Sequence, residues 1–267
     1  MPELPEIANL ARQLNQRLPG LQIGAIEIAQ PKCLNLPAED FRAALLGATL
    51  QSAAYRGKWI LVHSDRGWLL FSLGMGGEML LVDAAQLPEK RRLVFAFTSG
   101  ACLSVNFWWF GSAHYVPEDG LQAHPQVGKL GPNAIDLDAA ALGGLLHGQR
   151  GALKSFLLDQ GRIAGIGNAY IHDILFVAGL HPLRKIPTLS DSEIAALAEG
   201  SQRGLRPSLE QGGAFYEMDT YGVKGGFTLD QIVIGYREGQ PCPICQTPIT
   251  KIKTGGTSSF ICPACQQ

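Results

Sequence analysis

At 267 residues the chain is long enough for one large or two modest domains, and 46% apolar with 17% charged residues is an ordinary globular composition. No apolar run reaches the roughly 18 residues of a bilayer-spanning helix, and no basic segment precedes an apolar stretch at the N-terminus, so a cytoplasmic protein without membrane contact is expected. Residues 1–130 carry eleven basic and eleven acidic side chains and residues 131–267 eleven and twelve, which excludes an overall basic attraction to polyanions and makes any nucleic-acid-facing patch local.

In chain order, Ile7, Leu10, Ala11, Leu14 and Leu18 repeat at helical spacing until Pro19-Gly20 stops them. From about residue 21 to 116 the period shortens. Leu21–Ala29, Lys58–His63, Trp68–Leu73, Met79–Val82, Leu93–Thr98 and Cys102–Val105 read as short strands parted by turns such as Asp65-Arg66-Gly67 and Ser99-Gly100. Many strands at this spacing predict a sandwich or barrel. Beyond a Gly/Pro/His-rich stretch near 117–134, helices are expected at Ala139–Leu146, Ala152–Leu158, Ala169–Ala178 and Asp191–Leu205, the last opened by a Ser190/Glu193 capping box. Residues 211–230 show no clean period and read as a long loop. There are no repeats at solenoid periods.

The tail from residue 231 reads as a metal-binding hairpin. Cys242-Pro243-Ile244-Cys245 and Cys262-Pro263-Ala264-Cys265 put four thiolates in two CxxC turns, which suits one tetrahedral zinc. So short a tail has no core of its own, and metal binding would supply its folding energy. All four positions are filled, so the zinc is structural. The competing reading is two disulfides. Cys33 and Cys102 stand alone and read as small buried hydrophobes.

The opening Met1-Pro2-Glu3-Leu4-Pro5-Glu6 has a plain structural account, since proline and glutamate suit the first turn of a helix. It also has a chemical one. Removal of Met1, usual before a small residue, would leave Pro2 with a free secondary amine able to attack a sugar C1′ and form an iminium ion. Glu3 beside it could shuttle protons.

These residues resemble the opening of the formamidopyrimidine-DNA glycosylase (MutM) / endonuclease VIII family. Further matches follow in family order. Tyr55-Arg56-Gly57-Lys58-Trp59 resembles the strand of the family's essential lysine, and Leu73-Gly74-Met75-Gly76-Gly77 the loop of its void-filling methionine. Gly165-Ile166-Gly167-Asn168-Ala169-Tyr170 resembles the helix–two-turn–helix motif, His181-Pro182-Leu183-Arg184 follows it, and the zinc hairpin closes the chain. The resemblance spans essentially the whole sequence. It implies an α+β multidomain protein with an N-terminal helix and two-layer β-sandwich (residues 1–130), a helix–two-turn–helix domain (131–230) and a zinc finger (231–267), with DNA lying between the first two.

By that resemblance Pro2 is the nucleophile, Glu3 the general acid/base, Glu6 a pocket residue that orients a water, and Lys58 and Asn168 grip the phosphates flanking the lesion. Met75 fills the gap left by a flipped nucleotide. The implied reaction is base excision followed by β- and δ-elimination, carried out by a monomer on damaged DNA, double- or single-stranded.

The sequence departs from the family where it would touch DNA. Relatives carry D-x-R-R-F-G, and this chain has Asn106-Phe107-Trp108-Trp109-Phe110-Gly111. Trp108 can stack on a base but lacks the forked hydrogen bonds of the arginine it replaces, so the family's opposite-base preference does not carry over. Thr257 stands at the hairpin arginine, Ser72 at a phosphate-binding histidine and Asp173 at a glutamate. Three arginines and a histidine are lost from the expected DNA face with no replacement visible in the sequence. Two other readings follow. One is a binder of abasic, distorted or single-stranded DNA without efficient excision. The other is a zinc-ribbon module acting on another nucleic acid.

Overall fold

Helix α1 (Leu4–Arg17) turns Ile7, Leu10, Ala11 and Leu14 inward, each almost wholly buried. Pro5 sits in its first turn, where a missing N–H costs nothing. In a computed structural model, which describes residues 1–267, the chain forms two units. The first comprises Met1–Lys129 and Gly212–Gly226, the second Leu130–Gln211 and Phe227–Gln267.

The first unit is built on two four-stranded antiparallel sheets. One runs in the order β1 (Ile23–Ile28), β6 (Leu93–Phe97), β7 (Ala101–Asn106), β5 (Glu78–Asp83). The other runs β2 (Leu50–Arg56), β3 (Trp59–Ser64), β4 (Gly67–Ser72), β8 (Ser112–Val116). Alternate residues of both sheets meet in one core with α1: Ile60, Val62 and Phe71 from one side, Leu93, Phe95 and Leu103 from the other. Phe71 and Phe95 meet edge to face at 6.0 Å. This is the expected sandwich. It contains three elements that the sequence pattern did not reveal, namely β2, β8 and the helix α2 (Ala38–Leu45). α2 is short, and only Phe41 and Leu45 of its eight residues are buried.

The second unit carries α3 (Ala139–Leu146), α4 (Leu153–Leu158), α5 (Ile171–Val177) and α6 (Asp191–Glu210), close to the expected spans. The capping box forms, with Glu193 N donating to Ser190 Oγ at 3.3 Å and Ser190 N to Glu193 Oε2 at 2.8 Å. α6 continues through Pro207, past Leu205 where its apolar period ends. The tail forms the hairpin β9 (Thr250–Thr254) and β10 (Thr257–Ile261), whose Phe260 joins Phe176 of α5 and Ile234 in a small core.

Two boundaries differ from the expected division. The zinc hairpin belongs to the unit of the helices. Residues 212–226, expected within the helical domain, pack with the sandwich because α1 holds them by polar ties. Asn9 Nδ2 donates to Gly212 O at 3.0 Å, and Gln13 Nε2 to Asp219 Oδ2 at 2.9 Å. Gln13 Oε1 accepts from both Thr220 N (3.0 Å) and Thr220 Oγ1 (2.8 Å).

Candidate active site and nucleic-acid interface

The N-terminus of α1 is enclosed. Pro2 is buried, and Glu3 and Glu6 are only 5% and 4% exposed. Carboxylates so far from water need partners. Glu6 has them in backbone N–H groups: Oε2 accepts from Glu3 N at 2.8 Å and Oε1 from Ala214 N at 3.0 Å. Glu6, expected to orient a water, also clasps Glu3 N at the helix start and Ala214 N of residues 212–226. The fit is close, since a Cβ on Gly225 would lie 2.1 Å from Gly213 O.

That segment brings in a third carboxylate which no motif announced. Glu217 Oε1 lies 3.4 Å from the terminal amine of Met1, and its side chain is 12% exposed. Burial pushes its carboxyl up to about 7; the terminal ammonium pulls the other way, and Glu6 and Glu3 add to the rise. Three carboxyl groups therefore gather around the chain start.

Lys58 and Gly57 make the turn between β2 and β3, where Arg56 pairs with Trp59. Lys58 is half-buried. Behind it Trp59 packs against His114 and His124 (ring centroids 5.5 and 5.6 Å), which bond to each other at 2.8 Å. Burial lowers His114 to about 4, and the neighbouring His124 adds to the effect, so the pair is uncharged at neutral pH.

On the same unit, two loops join into an exposed apolar ridge. Met75 N donates to Trp109 O at 2.8 Å, which locks the β4–β5 loop to the β7–β8 loop. Gly74 permits this approach: its φ is +63°, and a Cβ there would lie 2.0 Å from Trp109 O. Met75, Trp108, Trp109 and Phe110 are 47%, 70%, 59% and 80% exposed. Of the Phe107–Phe110 run only Phe107 is a buried strand end, at 2%.

In the second unit, Gln160 braces the loop before α5, donating to Ile166 O at 2.8 Å and accepting from Gly165 N at 2.9 Å. Asn168 follows, and its Oδ1 accepts from Lys154 Nζ at 3.1 Å. Lys154, only 2% exposed, also reaches Thr254 Oγ1 (3.2 Å), Thr257 Oγ1 (3.1 Å), Ser258 O (2.7 Å) and Ser259 Oγ (2.9 Å). No carboxylate is among these five partners. Burial lowers the ammonium to about 8. A pocket beside it is lined by Asn168, Tyr236, Lys251, Lys253 and Thr257. Around Asn168 and Thr257, where the sequence showed no replacement for the hairpin arginine, the structure places three lysines, Lys154, Lys251 and Lys253. Their signal in the sequence was weak, one lysine in an apolar helix and two in a short strand. Asp173 is structural, accepting from the N–H groups of Val233, Ile234 and Gly235 at 2.7, 2.9 and 3.0 Å.

The four hairpin cysteines are free thiols, and their sulfur atoms all lie within 4.8 Å of one another. Tetrahedral zinc with Zn–S near 2.3 Å separates its sulfurs by about 3.8 Å. The Cys242–Cys265 and Cys245–Cys262 separations of 3.9 and 3.4 Å match that spacing and are far too long for disulfides. Cys242, Cys245, Cys262 and Cys265 are the ligands of one structural zinc.

Comparisons with known proteins agree along the chain. Residues 1–106 match the formamidopyrimidine-DNA glycosylase N-terminal domain, 130–219 the H2TH domain of the same enzyme, and 239–267 the zinc finger found in FPG and IleRS. The chain is 36% identical over 278 residues to the formamidopyrimidine-DNA glycosylase of Gluconobacter oxydans and 32% over 273 residues to that of Streptococcus mutans, covering the whole of both. Among solved structures it is similar to Lactococcus lactis Fpg in complex with an abasic site containing DNA (TM-score 0.90, 27% identity, 99% of each chain). A Lactococcus lactis FPG variant with Fapy-dG containing DNA matches equally well, over 100% of each chain.

Proposed function

Because the chain belongs to the formamidopyrimidine-DNA glycosylase family and is a DNA glycosylase of base excision repair, we propose that it is also an abasic-site lyase working through Pro2, with an opposite-base preference unlike its relatives'. The observation that carries this reading is the enclosed chain start, where Pro2 lies buried with Glu3 beside it and Glu6 fixing the helix turn.

Freed of Met1, the Pro2 amine attacks C1′, the C1′–base bond breaks, and the base departs with that bond's electrons and a proton from Glu3. Opening of the sugar ring gives the iminium ion. Loss of a C2′ proton expels the 3′ phosphate, and a second elimination expels the 5′ phosphate. Lys58 on one unit and Asn168, with Lys154, Lys251 and Lys253, on the other hold backbone phosphates. Met75, Trp108 and Phe110 take the space of the flipped nucleotide. Stacking by Trp108 is indifferent to which base lies opposite, whereas a guanidinium is not.

The test is borohydride trapping of protein lacking Met1 on an abasic duplex and on a single strand, with a Pro2→Gly control, followed by excision from duplexes with each of the four bases opposite the lesion. A Pro2-dependent adduct and excision rates within a few-fold across the four duplexes are expected. Binding without any adduct would leave a recogniser of abasic or distorted DNA, the reading favoured by the exposed tryptophans alone.

A further inference from the structure

A protonated secondary amine has no lone pair for C1′. The nucleophile in this site therefore needs a proton acceptor inside the enclosure. Glu6 is poorly placed for that task, since both its oxygens accept backbone N–H groups. Glu3, by resemblance, serves the departing base. Glu217 is the carboxylate in contact with the amine of Met1, one residue before Pro2, at 3.4 Å.

Resting on the reading that Pro2 is the nucleophile, we infer that Glu217 is a further catalytic residue, the base that takes the proton from the N-terminal amine. Loss of Met1 moves the amine one residue inward, a step of about 3.8 Å between α-carbons. Pro2 lies between Met1, which Glu217 pairs with, and Glu3, whose charge Glu217 feels. The Glu217 main chain is itself fixed. Glu217 N donates to Ala214 O at 3.0 Å, and Gly225 N donates to Glu217 O at 3.2 Å. Ala214 is in turn clasped by Glu6, so one chain of hydrogen bonds sets the acceptor relative to the helix start.

The step balances. The ammonium proton passes to the Glu217 carboxylate, which becomes a neutral carboxyl. The freed lone pair forms the N–C1′ bond as the C1′–base bond breaks, and the base leaves with that electron pair and takes a proton from Glu3. The N–H proton remaining on the joined nitrogen ends on O4′ when the C1′–O4′ bond opens. Burial raises the Glu217 carboxyl above the ordinary carboxylate range; of the charged groups that face it, the terminal ammonium opposes the rise and Glu6 and Glu3 add to it. A base must be unprotonated, so its contribution grows with pH as this raised carboxyl ionises.

The experiment uses full-length protein lacking Met1 and measures single-turnover borohydride trapping on an abasic duplex from pH 5 to 9. Wild type, Glu217→Gln, Glu217→Asp and Pro2→Gly are compared, with duplex affinity and melting temperature measured on each. Wild-type trapping should rise with pH as the Glu217 carboxyl loses its proton. Glu217→Gln should trap on the order of 10²-fold more slowly, the low end for loss of a general base, and lose that rise. Its affinity should be unchanged, and Glu217→Asp should recover part of the rate and of the pH dependence. A purely structural role would not move the pH profile. If wild type traps and Glu217→Gln matches it in rate and profile, the inference is overturned alone. If wild type forms no adduct, the Pro2 reading falls and the inference with it.

Discussion

At the scale of single residues the most constrained group is Lys154, a buried ammonium held by five oxygens and no carboxylate. Lys154→Met removes the donor and leaves buried oxygens without one, at a cost of about 1–3 kcal/mol. Urea unfolding should show this as a lower midpoint at unchanged slope. Its folded-state value, about 8, lies below the ordinary 10.5, so between these values the unfolded chain holds more protons. Stability from this group therefore rises with pH across that window, while the positive charge beside Asn168 is lost. Duplex affinity should fall from pH 7.5 to 9.5 more steeply in wild type than in Lys154→Met, with no matching drop in melting temperature from this residue. Trp108→Ala should weaken duplex binding by about 1–3 kcal/mol if one base stacks on it. The four cysteines were legible in the sequence because two CxxC turns are a local signal, and Pro2 and Glu3 stand out there because the chemistry proposed for them, a terminal amine and an adjacent acid, is local too. Glu217 and Lys154 were not legible, since nothing within a few residues of either marks it. Their meaning comes from partners 216 and about 100 positions away.

At the scale of elements, the ties between α1 and residues 212–226 are the device that builds the site. Gln13→Ala strips two hydrogen bonds from Thr220 and one from Asp219. It should cost about 1–3 kcal/mol, since Thr220 N is left buried without that acceptor. It should also slow trapping, because Glu217 rides on the same segment, and leave duplex affinity nearly unchanged. The sequence showed this segment only as aperiodic, which is correct as local structure. Its organisation is long-range and leaves no period. The helices α1, α3, α5 and α6 were legible from their apolar stripes and caps. α2 was not, having one buried turn, and β2 and β8 were not, because Leu50–Arg56 and Ser112–Val116 bury too few apolar side chains to set a period of two. His114 on β8 gives the sandwich a pH dependence of its own. With its value lowered to about 4 from 6.5, the unfolded chain takes up the proton first as pH falls between these values, so stability drops. The melting temperature should decline across that interval in wild type and decline less in His114→Phe.

At the scale of the whole molecule, charge and metal divide the labour. A formal net charge of −1 gives no general pull toward DNA, so the electrostatic part of the affinity must come from local basic side chains. Each phosphate contact absent relative to an arginine-bearing relative should lower the salt slope of log K by about one unit. Zinc holds the hairpin that carries Lys251, Lys253 and Thr257, and its ligands Cys242 and Cys262 sit in the same small core as Phe260. Chelation should therefore abolish most duplex affinity, by about tenfold or more if two contacts are lost at about 1 kcal/mol each. The sandwich core contains none of the four ligands, so the far-ultraviolet dichroism of its strands should persist. The ridge at the loop tips has one more consequence, an optical one. Of the four tryptophans, Trp59 is buried, Trp68 is partly covered beside His63, and Trp108 and Trp109 stand in water. The free protein should emit with a long-wavelength component from that exposed pair, and a nucleobase laid against either indole would quench it. Titration with unlabelled oligonucleotides would then report ridge occupancy directly, and would distinguish strands that merely neutralise lysines from strands that seat a base.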